Sequence, residues 1–347
     1  MLWMWLGFLG LIGALLALDL GVLHRKAHAI SLKEALAWSL GWIALSLSFC
    51  GLIYFAYEGH WFGLGTAVDG ADGVLNDGKS AALKFLTGYL VEKSLSVDNI
   101  FVIALLFGSL AIPDRFQHRV LFWGILGAMA FRGVMIAAGA ALVDRYQWLL
   151  YVFGGFLLFT AARLLLAGKE SDEPGKSRVL KFARKWLPFS AELHGQRFIA
   201  RINGRRLLTP LALALIAVET TDVIFAVDSI PAIFAITTDP FLVFTSNIFA
   251  LLGLRSLYFA LAGMMATFAY LKVSLAAVLA LIGGKMLAGH WLEDMIGPKH
   301  NLWLLLAVVG ILAVGVIASL VARRRVRRVG AINSGGESST HTAVDSA

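Results

Sequence analysis

Apolar residues gather into nine long runs separated by polar stretches, at about 3–22, 37–57, 85–108, 120–140, 147–167, 209–236, 241–263, 271–289 and 301–322. Each is near the roughly 20 residues that a helix needs to cross the hydrocarbon of a bilayer. The pattern predicts an all-α fold, a polytopic membrane bundle of about nine transmembrane helices. The first run reads as a retained helix rather than a leader peptide. It is long, it carries Asp19, and no small-residue cleavage site precedes the basic HRKAH at 24–28.

Charge between the runs alternates. Arg25, Lys26 and Lys33 follow the first run, Arg115 and Arg119 the third, ten Lys or Arg lie between 168 and 208, and RRRVRR occupies 323–328. The other connections are acidic or near neutral, such as 58–84 with Glu58, Asp69, Asp72 and Asp77. Basic loops stay on the cytoplasmic side. Nine helices with the N-terminus outside and the C-terminus inside satisfy every long loop.

Composition agrees, with 59% of 347 residues hydrophobic and 15% charged. A net charge of +8 would suit nucleic acid in a soluble chain. Here the basic residues report topology, so the partner is the lipid bilayer and no nucleic acid is expected. A single cysteine, Cys50, excludes a disulfide framework, a CxxC pair and a thiolate metal cage. The transporter domain spans 1–322. Within the basic inner loop 168–208, the Asn203-Gly204 pair between short alternating runs matches a hairpin turn. A basic segment lying on anionic lipid is the equal alternative. The polar end of 323–347 reads as irregular chain from residue 330.

Two segments resemble each other. VEKSLSVDNIFVIAL from residue 91 and TDVIFAVDSIPAIFA from 221 align at an offset of 130, placing Asp98 on Asp228 and Glu92 on Asp222. GILGAMAFRG and NIFALLGLRS then place Arg132 and Arg255 late in the following run. In the nine-helix topology the third and sixth helices run oppositely, so repeat one (about 85–167) and repeat two (about 209–289) are inverted. Inverted repeats mark secondary transporters, whose sites lie near the midplane. Chance likeness of two short motifs is the competing explanation.

The chemistry is concentrated in those segments. Glu92, Asp98, Glu219, Asp222 and Asp228 lie in apolar surroundings, where ionisable groups persist only beside partners, water or an ion. Arg132, Arg255 and Lys93 are the candidate structural counter-ions, three cations for five acids. The acidic excess suits a cation. Residues six apart on a regular helix point about 120° from one another, so Glu92 and Asp98, or Asp222 and Asp228, share a face only if the helix is distorted. Pro231 predicts such a break, freeing the carbonyl of Val227 beside Asp228. With Asn99 and Ser229, the predicted ligand set is Glu92, Asp98, Asn99, Glu219, Asp222, Val227, Asp228 and Ser229. An all-oxygen set favours Mn²⁺, Mg²⁺ or Ca²⁺ over Zn²⁺ or Cu⁺.

The block TPLALALIAVETTDVIFAVDSIPAIFAITTDPFLVFTSNIFALLGLRSLYF (209–259), with EKSLSVDNIFV (92–102) and LDLGVLHRKAHAISLKEALAWS (18–39), closely resembles the TerC family, over about 15–325. The resemblance implies a bacterial inner-membrane protein related to LysE-type exporters. It also implies manganese export and, under older naming, tellurite resistance or redox modulation. On this basis the expected function is export of a divalent cation, Mn²⁺ foremost, as cargo rather than resident cofactor, through a site between the repeats. The alternatives are a stress-response scaffold, or a redox modulator without transport. Against an enzyme stand the lone cysteine and the lack of a haem-type histidine pair or a nucleotide motif.

Overall fold

The computed structural model describes residues 2–21, 32–166, 188–190, 192–202, 204–261, 270–296 and 300–337. The helices run α1 (Leu2–Gly21), α2 (Leu32–Glu58), α3 (Gly78–Ser109), α4 (Asp114–Arg145), α5 (Leu149–Leu166), α6 (Pro210–Phe234), α7 (Pro240–Leu251), α8 (Leu254–Leu261), α9 (Leu271–Ile296) and α10 (His300–Glu337). Each of the nine apolar runs falls on a helix, the seventh on two. Among the described residues six helices are long and apolar enough to cross a membrane, and a seventh is added if α7 and α8, bent by 40°, count as one span. α3 is long enough at 32 residues but is interrupted by Lys84, Glu92, Lys93 and Asp98. α10 continues through 330–337, which composition alone reads as irregular chain. Residues 338–347 of the tail, and 167–187 of the basic loop, lie outside the described residues.

Helix starts follow local chemistry. Asp77 caps α3 by accepting from the Ser80 N–H at 2.7 Å, and Asp239 caps α7 by accepting from Phe241 and Leu242. Pro210 and Pro240 each stand in a first turn, where a missing N–H costs nothing. β1 (Ile199–Ile202) and β2 (Arg205–Leu208) form an antiparallel hairpin in the register Ile199↔Leu208 to Ile202↔Arg205. Gly204 has the positive φ of 78° that such a turn demands.

The interior is aromatic on one side, where Phe49 stacks on Phe249 at 4.4 Å and Phe8 and Phe85 close around them. α5 and α9 approach closely through small residues: a Cβ on Gly283 would lie 2.9 Å from the Gly154 carbonyl. Large apolar side chains such as Leu40, Phe55, Val134 and Leu166 point outward, as a lipid-facing surface requires.

The break predicted at Pro231 is absent. α6 runs through it to Phe234, because the proline stands in the last turn and only the Val227 carbonyl loses a helical donor. The discontinuity comes one element later. Gly253, at φ 77°, ends α7 in a left-handed residue, and Trp42 presses against it so closely that a Cβ there would meet the indole at 2.7 Å. At this break the Lys93 ammonium donates to the carbonyls of Ala250 at 3.1 Å and Leu252 at 3.2 Å. A cation thereby meets the negative end of a half-helix. Lys285 does the same for Ala235 at the end of α6, at 3.0 Å.

Candidate functional site

Midway along α4, Arg132 is completely buried, and α3, α6 and α7 each supply it with acceptors. Its guanidinium forks onto Asp222, with Nη2 3.1 Å from Oδ1 and Nε 3.3 Å from Oδ2. Nη1 donates to Glu92 Oε1, to Asn247 Oδ1 at 2.9 Å and to Ser229 Oγ at 3.2 Å. The planar fork fits a carboxylate at two points, which a lysine ammonium cannot do. Two carboxylates share one guanidinium, leaving one formal negative charge in excess.

Glu219 stands one turn before Asp222 on α6, within reach of its charge. Its carboxylate occupies the space that a side chain at Gly127 of α4 would need. Three oxygens here are buried without a protein hydrogen-bond partner: Glu92 Oε2, Ser96 Oγ and Glu219 Oε2. Glu92 and Ser96 are four apart on α3 and so share its face. Such acceptors cost roughly 1–3 kcal/mol each when left unsatisfied, and in a native site they need an explanation. Oxygen-rich and acidic, the set matches a hard cation or transferable protons.

The other predicted ligands separate from this centre. Asp98 projects elsewhere on α3, within Coulombic reach of Lys272 on α9, and Asn99 beside it in sequence is buried. Asp228 accepts from Thr160 of α5 at 3.3 Å and lies near Arg163. The Val227 carbonyl, the predicted ligand there, does lack a helical donor from Pro231, and the Val227 side chain is exposed. Five carboxylates around one ion is therefore not the arrangement seen. Among the described residues no group of three or more His, Cys, Asp or Glu is placed to hold a metal ion. Regular helices explain the split: with no distortion at Pro231, six-residue spacing sends the paired acids to different faces.

A second polar centre, which the sequence reading passed over, lies in the 59–77 connection. Buried Lys84 of α3 bonds Asp69 at 2.9 Å, Asp72 at 2.7 Å and Asn76 at 2.7 Å. Asp69 also accepts from the Thr238 N–H at 2.8 Å, from the hydroxyls of Thr237 and Thr238, and from Ala71 and Asn76. Asp72 reaches Asn301 at 3.2 Å and His300 at 3.3 Å on α10. The connection is thus tied to α3, to the α6–α7 turn and to α10. Burial pushes the Asp69 carboxyl up, but the Lys84 ammonium and the hydrogen bonds from Thr237 and Thr238 outweigh it and hold the group well below the usual carboxylate range. The only sequence signal was a lysine at the edge of an apolar run facing an acidic loop.

Fold and site together define a polytopic helical membrane protein with a buried carboxylate–guanidinium centre. Residues 77–327 match the Integral membrane protein TerC family, and the chain belongs to that family. It is 47% identical over 321 residues to "Uncharacterized membrane protein STKORF319" of Myxococcus xanthus, covering 92% of this chain and 93% of that one. It is 45% identical over 289 residues to "Putative membrane-bound redox modulator Alx" of Escherichia coli (strain K12), covering 82% and 85%. The protein of that same name in Photorhabdus laumondii is 46% identical over 320 residues, covering 91% and 94%. No solved structure matches the chain.

Proposed function

We propose that this chain is a secondary transporter of the bacterial inner membrane that exports a divalent metal cation, Mn²⁺ foremost. It works by alternating access between two inverted repeats, about 85–167 and 209–289. Nine spans, with the N-terminus outside and the C-terminus in the cytoplasm, bring Glu92 of repeat one and Asp222 of repeat two to the midplane from opposite directions. Glu219, Ser96 and Ser229 complete the oxygen set. Manganese rests on the family resemblance; the residues themselves select a hard cation.

The observation that carries this reading is the Glu92 carboxylate, fully buried at mid-helix, with Oε1 on Arg132 and Oε2 without a protein hydrogen-bond partner. A buried carboxylate oxygen with no protein donor is open to a cation or a proton. The flanking acids support the repeat. Asp98 on the first helix of repeat one sits near Lys272 on the third helix of repeat two, and Asp228 sits near Thr160 and Arg163 in the reciprocal arrangement.

Manganese tolerance tests the reading, in cells stripped of their own Mn²⁺ exporters and expressing the protein. Glu92→Gln and Asp222→Asn abolish tolerance at unchanged membrane abundance, while Asp98→Asn and Asp228→Asn reduce it less. Full tolerance in Glu92→Gln and Asp222→Asn sinks the assignment.

A further inference from the structure

Within the transport reading, we propose that Arg132 is a tethered stand-in for the cargo: its guanidinium occupies the cation's place in the unloaded protein, and cation binding and the Arg132 bonds exclude each other. Most of the oxygens that make the centre attractive to a cation are ones that Arg132 now uses. The Glu92 and Asp222 carboxylates, the Asn247 side-chain oxygen and the Ser229 hydroxyl converge on it from α3, α6 and α7. Arg132 itself arrives on α4, so one side chain cross-links three other helices.

A divalent ion liganded by Glu92 and Asp222 would stand within contact distance of a permanent positive charge that no accessible pH removes. Like charges at that separation in a low-dielectric interior repel strongly, so the guanidinium must withdraw for the ion to enter. The arrangement has a use. An empty carrier that reorients with two naked carboxylates at the bilayer midplane faces a large desolvation cost. With Arg132 seated on both, the two carboxylates keep one formal negative charge instead of two, one unit from the neutral sum they make with a divalent ion. Cargo release and return of Arg132 then become one event, and affinity is held down to a level that permits release.

A structural ion pair makes the opposite predictions on removal, and the two are separated by binding measurements on purified full-length protein in detergent. Free Mn²⁺ is counted by electron paramagnetic resonance, and unfolding temperature is recorded with and without Mn²⁺. Arg132→Gln is expected to bind Mn²⁺ at least tenfold more tightly than the wild type and to gain more thermal stability from it. Arg132→Lys, a point charge without the fork, falls between the two and serves alone if Arg132→Gln does not fold. Variant affinities equal to or weaker than that of a wild type that binds Mn²⁺ overturn the tether and leave the transport reading standing. Binding in the variants but not in the wild type supports a site masked by Arg132. Silence of all three proteins toward Mn²⁺, Mg²⁺ and Ca²⁺ overturns both.

Discussion

Lys84→Met removes the lysine of the second polar centre while keeping similar bulk. Lys84 and both of its acidic partners have at most 1% of side-chain surface exposed, so solvent screening does little to soften the loss. Breaking a buried ion pair by deleting one partner costs about 3–5 kcal/mol. The lower end applies here, because Asp69 keeps its bonds from Thr237, Thr238, Ala71 and Asn76, and Asp72 keeps Asn301. About 3 kcal/mol corresponds to a fall in unfolding temperature of about 6–12 °C on the scale of domains of 150–250 residues. Thermal unfolding of the purified protein, followed by light scattering or intrinsic fluorescence, measures it. The pH dependence carries a sign. In the wild type the depressed Asp69 carboxyl contributes stability that is fully present above its unfolded value of about 3.9, and that is lost as pH falls through the lower folded value. Without Lys84 the largest lowering influence is gone, so burial meets less opposition and the folded value climbs. The gap between wild type and variant therefore narrows as pH drops below about 4. A change under about 1 kcal/mol at neutral pH, or a gap that widens on acidification, refutes the assigned role of Lys84.

Further substitutions probe the joints of the fold. Gly127→Ala drives a methyl group into the Glu219 carboxylate, and transport is expected to fall severalfold with little loss of stability; adding Glu219→Asp, one methylene shorter, restores it if the clash is the cause. Gly253→Ala must hold φ 77° with a Cβ against Trp42, costing about 1–2 kcal/mol for the backbone and about 1–3 kcal/mol for repacking, read as a lowered unfolding temperature and altered tryptophan emission. Lys93→Met leaves the Ala250 and Leu252 carbonyls without their charged donor, a loss of about 1.5–3 kcal/mol; unchanged stability would show that the half-helix end needs no cap.

Much of this molecule could be read from its runs of apolar residues, because a bilayer demands spans of a set length and forbids unsatisfied backbone. The candidate acids could be read for the same reason: Glu92 and Asp222 are costly where they stand, and Arg132 was visible as a counter-ion. Which acids meet was not legible, and the error is instructive. Helical spacing alone sends Asp98 and Asp228 away from Glu92 and Asp222, and only a distortion such as the one expected at Pro231 brings them back. A proline in a last turn distorts little, so the plain geometry prevailed. The actual break lies at Gly253, which in sequence is indistinguishable from a packing glycine: neither its positive φ nor the Trp42 indole pressed against it leaves a local mark. The Lys84 centre is not legible because it joins residues 69–84, 237–238 and 300–301, contacts that no local pattern encodes.

Mn²⁺ uptake into inverted membrane vesicles containing the protein, with Mg²⁺ and Ca²⁺ as competitors, tests the central claim most directly. Uptake by the wild type that disappears in Glu92→Gln and in Asp222→Asn is the predicted result. Equal uptake in wild type and both variants, or silence toward all three ions in every protein, contradicts a carboxylate-lined cation path through this centre.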